Sequence, residues 1–144
     1  INHLEMAAAV AARVTFPDVL AGRKVMHFLD NTTALSKAVH GYANEPDMAT
    51  ITNSLHMCDA MLGVDAWWEW VPSKANVADL PSRDPSTWDD EASGVMARLH
   101  SRIDEQGFGR RELRLPTSAQ LNSPTEMLHG ARKLAAGVAA GSPF

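Results

Sequence analysis

Two short apolar runs with a long helical pattern between them limit this chain more than any other feature. Along residues 24–30 the side chains alternate, with Val25, His27 and Leu29 on one side and Met26, Phe28 and Asp30 on the other. Nearly all are apolar, as in a strand covered on both faces. Residues 66–71 repeat the pattern, with Trp67, Glu69 and Val71 opposite Ala66, Trp68 and Trp70. Between the runs, Met48, Ile51, Leu55, Cys58 and Leu62 step by three and four through residues 45–62, one clean helical stripe. Pro46 suits the first turn of that helix and Gly63 its stop. The strands need a common sheet, so the expected class is α/β. Two strands are few for a stable sheet, and further strands are expected upstream of Ile1. The opening Ile1-Asn2-His3-Leu4-Glu5, without a methionine, fits a piece of something longer.

The other segments fill in around this unit. Residues 2–15 are expected to form a helix, with Asn2 and Glu5 as a capping-box-like start and Leu4, Ala7, Ala8, Ala11 and Val14 as its inward stripe. Its other side is mostly alanine too. Phe16-Pro17 ends it, and Gly22 punctuates the loop that follows. Asn31-Thr32-Thr33 offers N-cap residues for a helix over 33–40 that stops at Gly41. A short helical turn is expected at 76–79, and Pro81 and Pro85 stop regular structure. Beyond, residues 91–106 suit an amphipathic helix with Val95, Leu99 and Ile103 inward, and 107–124 read as a linker. Ser123-Pro124-Thr125-Glu126 starts a last helix carrying Met127, Leu128, Ala131, Leu134 and Val138.

Charge and cysteine content narrow the function. Residues 1–85 hold 6 basic and 10 acidic residues, and 86–144 hold 7 of each, so the net charge of −4 lies wholly in the first part. Bulk electrostatics therefore does not mark a nucleic-acid binder, which needs basic clusters. With 45% hydrophobic residues the chain has the composition of a globular domain, not of a disordered or collagenous one. A single cysteine, Cys58, cannot form an internal disulfide and fits a reducing compartment. No secretory signal or membrane-length apolar run is present, so an intracellular location, cytoplasmic or nuclear, is expected, with no membrane partner.

Three acids stand at pointed places: Glu5 in the first turn of a helix, Asp30 at a strand end, and Asp79 in Asn76-Val77-Ala78-Asp79. Acids so placed can converge at one sheet edge, where carboxylate oxygens hold hard cations that activate water at a phosphodiester. Each also has a local reading. Glu5 completes a capping box, Asp30 caps the next helix, and Asp79 serves its turn. Spacing alone does not decide between these.

The Leu-Glu helix start, the strand ending Phe28-Leu29-Asp30-Asn31, and Trp70-Val71-Pro72-Ser73-Lys74-Ala75-Asn76-Val77-Ala78-Asp79-Leu80-Pro81-Ser82-Arg83 together resemble the ribonuclease H-like domain of retroelement (retrotransposon) reverse transcriptases. The resemblance covers residues 1–85 and leaves 86–144 as a C-terminal extension, mostly helical or disordered. It implies a five-stranded mixed sheet flanked by helices, of which this chain has the part starting at the first helix. It also implies a carboxylate site for two Mg²⁺ or Mn²⁺ ions that hydrolyses the RNA strand of RNA–DNA hybrids. On that reading Glu5 is the acid of the first helix, Asp30 ends the fourth strand, and Asp79 is the last acid. All three are then catalytic metal ligands. Lys74 and Arg83 flank the last acid as phosphate contacts, and Asn31 and Asn76 orient the carboxylates or contact the hybrid. The implied partners are nucleic acid and an upstream polymerase domain of a polyprotein. The chain departs from the family in two ways. The three-stranded meander carrying the first catalytic Asp is missing, and the loop before Asp79 offers Ser73 and Lys74 where a His is common. One metal site would then be incomplete.

A second reading follows, a catalytically silent connection-type module of the same fold that positions nucleic acid. A third is a helical interaction protein unrelated to the family. The six histidines show no zinc-ligand spacing with the single cysteine. Cys58 lies on the apolar stripe as a core thiol. The tryptophan cluster could stack bases, but alternation on a central strand favours core packing. Arg110, Arg111 and Arg114 are interrupted by Glu112 and read as a solvated linker.

Overall fold

Helix α1, Asn2–Thr15, packs on helices α3, Thr32–His40, and α4, Pro46–Leu62. The computed structural model describes residues 2–107, 111–127, 129 and 133. These residues form an α/β chain of two compact units, one of 2–70 with the described residues from 112 onward, the other within 71–111. No helix among them is long and apolar enough to cross a membrane.

In the first unit, strands β1, Lys24–Leu29, and β2, Asp65–Trp70, pair in parallel, from Lys24 opposite Asp65 to Leu29 opposite Trp70. Parallel neighbours require a crossover, and α3 and α4 supply it. The two strand entrances are tied together. Gly22 N–H donates to Leu62 O at 2.9 Å, and Asp65 N–H donates to Arg23 O at 3.0 Å. A left-handed Gly63, φ 67°, ends α4 and turns the chain into β2. A short helix α2, Pro17–Leu20, follows α1, where only a loop is expected.

The stripe expected of α4 is the buried one: Met48, Ile51, Leu55, Cys58 and Leu62 all lie in the core. For α1 the expected stripe is rotated. Ala11 and Val14 are buried as expected, but Leu4 is 74% exposed and Met6, Ala9, Val10 and Arg13 are buried instead. An alanine-rich helix offers several nearly equal apolar faces. A buried ion pair from Arg13 to Asp59 of α4 selects the one that turns inward.

The sheet departs from the expectation of two covered faces. Val25, His27, Ala66 and Trp68 are half-buried and Leu29 is buried on the helical side. On the other side Met26, Phe28 and Trp67 are exposed, Trp67 by 65%. Core packing of the tryptophan cluster therefore holds for Trp68 only: Trp67 lies on the face that no helix covers, and Trp70 lies on the inner side but at the end of its strand, where it is 48% exposed.

The stretch expected as a linker contains helix α6, Ser118–Asn122, which starts with a capping box between Thr117 and Gln120. Leu121 packs against the core, and its carbonyl accepts from Ser54 Oγ at 2.6 Å. Residues 124–127 are helical and Met127 is buried; the remainder of the helix expected through Val138 falls largely outside the described residues, as does Arg110.

The second unit holds the 3₁₀ turns Ser73–Ala75, Val77–Ser82 and Pro85–Thr87, then helix α5, Asp90–Glu105. Pro81 lies inside the second turn and Pro85 begins the third, so neither simply stops the chain. In α5 Met96 is buried, with Val95, Leu99 and Ile103 half-buried beside it.

Candidate functional site

Asn31 organises the carboxylates of the first unit. Its Oδ1 caps α3 by accepting from Thr33 N–H at 2.9 Å and Ala34 N–H at 3.1 Å. Its Nδ2 donates to Asn2 Oδ1, so Asn2, expected to cap α1, is spent on the strand end instead. The side chain and the backbone N–H of Asn31 lie near the Glu5 carboxylate and favour its charged form. This draws the first turn of α1 against the end of β1, beside Asp30. Burial raises the Glu5 carboxyl above its ordinary range, and the neighbouring Asp30 charge raises it further, against the lowering pull of Asn31. Glu5 Oε2 is buried and has no hydrogen-bond partner.

Trp70 completes this end of the sheet. It stands opposite Leu29, and its indole Nε1–H donates to the Asp30 carbonyl at 3.3 Å. The residue is still 48% exposed.

The second unit gathers the remaining candidates around one cavity of about 420 Å³, lined by Ser73, Lys74, Asn76, Asp79 and Arg83 with Asp89 and Glu91 among others. Asn76 Oδ1 accepts from Ala78 N–H at 3.1 Å and so caps the turn that carries Asp79. This is a local reason for the Asn-x-x-Asp spacing. Asp79 Oδ2 accepts from Arg83 Nη2 at 3.1 Å, an ion pair four residues apart and largely solvent-facing. Arg83 is therefore engaged with an acid, while Lys74 is exposed. Two cations face three carboxylates across the cavity lining.

The structure thus brings Glu5, Asp30 and Asn31 together in one unit, and Lys74, Asn76, Asp79 and Arg83 together in the other. Among the described residues, no group of three or more His, Cys, Asp or Glu is arranged to hold a metal ion. The Glu5–Asp30 pair nevertheless has the donor chemistry of a hard-cation site. It offers two carboxylates whose charges oppose one another, and one buried oxygen without a partner.

A polar network that sequence reasoning missed lies under the sheet. Arg13 Nε donates to Asp59 Oδ1 at 2.9 Å and Nη2 to Oδ2 at 3.2 Å. Arg13 Nη1 lies 3.1 Å from His27 Nδ1. Because a guanidinium only donates, His27 accepts there and carries its proton on Nε2. Burial and the Arg13 charge lower the His27 imidazole to about 4. The guanidinium carbon lies 5.3 Å from the Trp68 ring centre, and the His27 and Trp68 rings are 4.6 Å apart. The signal that would have exposed this network is a lone arginine in an alanine-rich helix, three and four residues after Val10 and Ala9.

No family model, curated protein or solved structure matches the chain.

Proposed function

We propose that this chain is a ribonuclease H-like domain of a retroelement reverse transcriptase, acting on the RNA strand of RNA–DNA hybrids with Mg²⁺ or Mn²⁺. The observation that carries the reading is the Glu5–Asp30 pair at the end of β1, with Glu5 Oε2 buried and unpartnered. A divalent ion held there supplies Lewis-acid activation of water and neutralises charge at the phosphodiester. Asn31 lies beside the Glu5 carboxylate and fixes the start of α3 with its side chain, and Glu5 Oε2 is without a hydrogen-bond partner. In the other unit, described by itself, Asp79 pairs with Arg83, and Lys74 is the exposed cation for a phosphate. The hybrid partner and the polymerase partner belong to the same proposal.

One observation favours the silent, nucleic-acid-positioning reading: Asp79 is already ion-paired with Arg83. The deciding experiment measures cleavage of labelled RNA in an RNA–DNA hybrid, in Mg²⁺ and in Mn²⁺, by the chain and by Asp30→Asn. Mn²⁺ binding is measured on the same proteins. Cleavage and Mn²⁺ binding that are both lost in the variant support the nuclease. A protein that binds the hybrid but never cuts it is the silent module. Cleavage undiminished by Asp30→Asn removes the carboxylate pair from the reaction.

A further inference from the structure

We propose that Trp70 is a stacking platform for an unpaired nucleobase at the edge of the carboxylate site, so that the protein favours a hybrid bordered by a single strand. The inference rests on the nucleic-acid reading above and adds a substrate feature to it. Three observations carry it. The indole is anchored through Nε1–H to the carbonyl of Asp30, at 3.3 Å, so the ring is fixed within one residue of the carboxylate pair. It remains 48% exposed although it is among the largest apolar side chains of the fold. It ends its strand, opposite Leu29, where the chain leaves the sheet for Pro72 and the 3₁₀ turns. Trp68, two residues earlier on the same side, is by contrast packed against His27 and Arg13. Of the two indoles on this side of the sheet, the one bonded to Asp30 is thus the accessible one, and its only side-chain polar atom is already bonded to backbone.

An anchored, exposed indole offers a π face in a fixed place. Bases within a duplex have both faces occupied by their neighbours, so a protein ring finds a free face only on an unpaired or terminal base. Stacking of this kind tolerates any base, since every base has a π face. The ligand chemistry is therefore a single-stranded nucleotide adjoining a duplex, with no base preference.

The test needs no cleavage. Affinities of the full chain are measured in chelator-containing buffer for a blunt RNA–DNA hybrid and for the same hybrid with an unpaired DNA overhang. Trp70→Ala, Trp70→Leu and Trp70→Phe are measured alongside. The expected result is tighter binding of the overhang probe by about tenfold, an advantage lost in Trp70→Ala and retained in Trp70→Phe. Trp70→Leu keeps apolar bulk without the π face and is expected to lose the advantage as well, which covers the case of an alanine variant that does not fold. Trp70→Phe also separates stacking from the hydrogen bond. An equal preference in wild type and Trp70→Ala would overturn it while leaving the hydrolysis reading intact. A Trp70-dependent preference in a protein that never cuts the hybrid would uphold it and overturn hydrolysis. Failure to bind either probe would overturn it.

Discussion

Asp59→Leu is expected to unfold this protein more readily than any truncation of similar size on its surface. The reason is the charge left behind. Arg13 and Asp59 have side chains 1% and 9% exposed, and the pair is bidentate at 2.9 and 3.2 Å. Without Asp59 the guanidinium keeps only Ala9 O, at 3.4 Å, and His27 Nδ1, at 3.1 Å, as described acceptors. Neither carries a negative charge. Breaking a buried pair from one side costs about 3–5 kcal/mol. A small domain has about 5–15 kcal/mol in all, so the loss is a large share. At about 1.4 kcal/mol per tenfold, the unfolded fraction rises by about two to three and a half powers of ten. Urea titration at neutral pH, followed by tryptophan fluorescence and far-ultraviolet dichroism, measures this directly. The companion is Arg13→Met/Asp59→Leu, in which both charges are gone and the volume is filled with apolar atoms. Such replacements run from neutral to stabilising, so the double variant is expected within about 1 kcal/mol of wild type or above it. The reasoning is refuted if Asp59→Leu loses less than about 1 kcal/mol, or if the double variant is as unstable as the two single variants summed.

Two further outcomes follow from the same core. His27 is held neutral, its folded value about 4 against an ordinary 6.5, so the unfolded chain takes up a proton first as pH falls. This stability is fully present above about pH 6.5 and is lost progressively towards pH 4; at about 1.36 kcal/mol per pH unit the loss is about 3 kcal/mol. Urea titrations between pH 7 and 4 should show a shallower decline in His27→Gln, and parallel declines would sink the idea. Cys58 is fully buried and its thiol is pushed up to about 12 by burial and then by the Asp59 charge. Its alkylation by iodoacetamide at pH 8 should therefore follow the unfolded fraction across a urea series, and rapid labelling of the native protein would contradict the burial.

The sequence by itself determined the elements that depend on local rules. Asn31, Gly41, Pro46 and Gly63 set helix ends at the expected places, because caps, fixed φ and left-handed turns act within a few residues. The stripe of α4 was legible because its large apolar residues recur at one helical spacing, although the buried face also takes in Thr52, Ser54 and Asp59. The α/β class followed from the same signals, while the short helices α2 and α6, expected as loop and linker, did not. The candidate site was legible residue by residue, as acids and amides at strand and helix ends, but not as an arrangement. That Asn31 ties Asn2 of α1 to the end of β1, and that Asp89 and Glu91 join Asn76, Asp79 and Arg83 around one cavity, are facts about chain segments meeting.

Tertiary structure alone decided which faces turn inward. Alanine on nearly every side of α1 leaves its rotation undetermined until Arg13 finds Asp59, 46 residues away. Alternation in a strand fixes which residues share a face but not whether that face is covered. Hence Trp67 reads as core and stands exposed on the uncovered face, while Trp68 packs and Trp70, on the same face as Trp68 but at the strand end, does not. The physical reason is range: hydrogen bonds of caps and turns close within one turn of chain, whereas burial depends on what the rest of the molecule brings alongside.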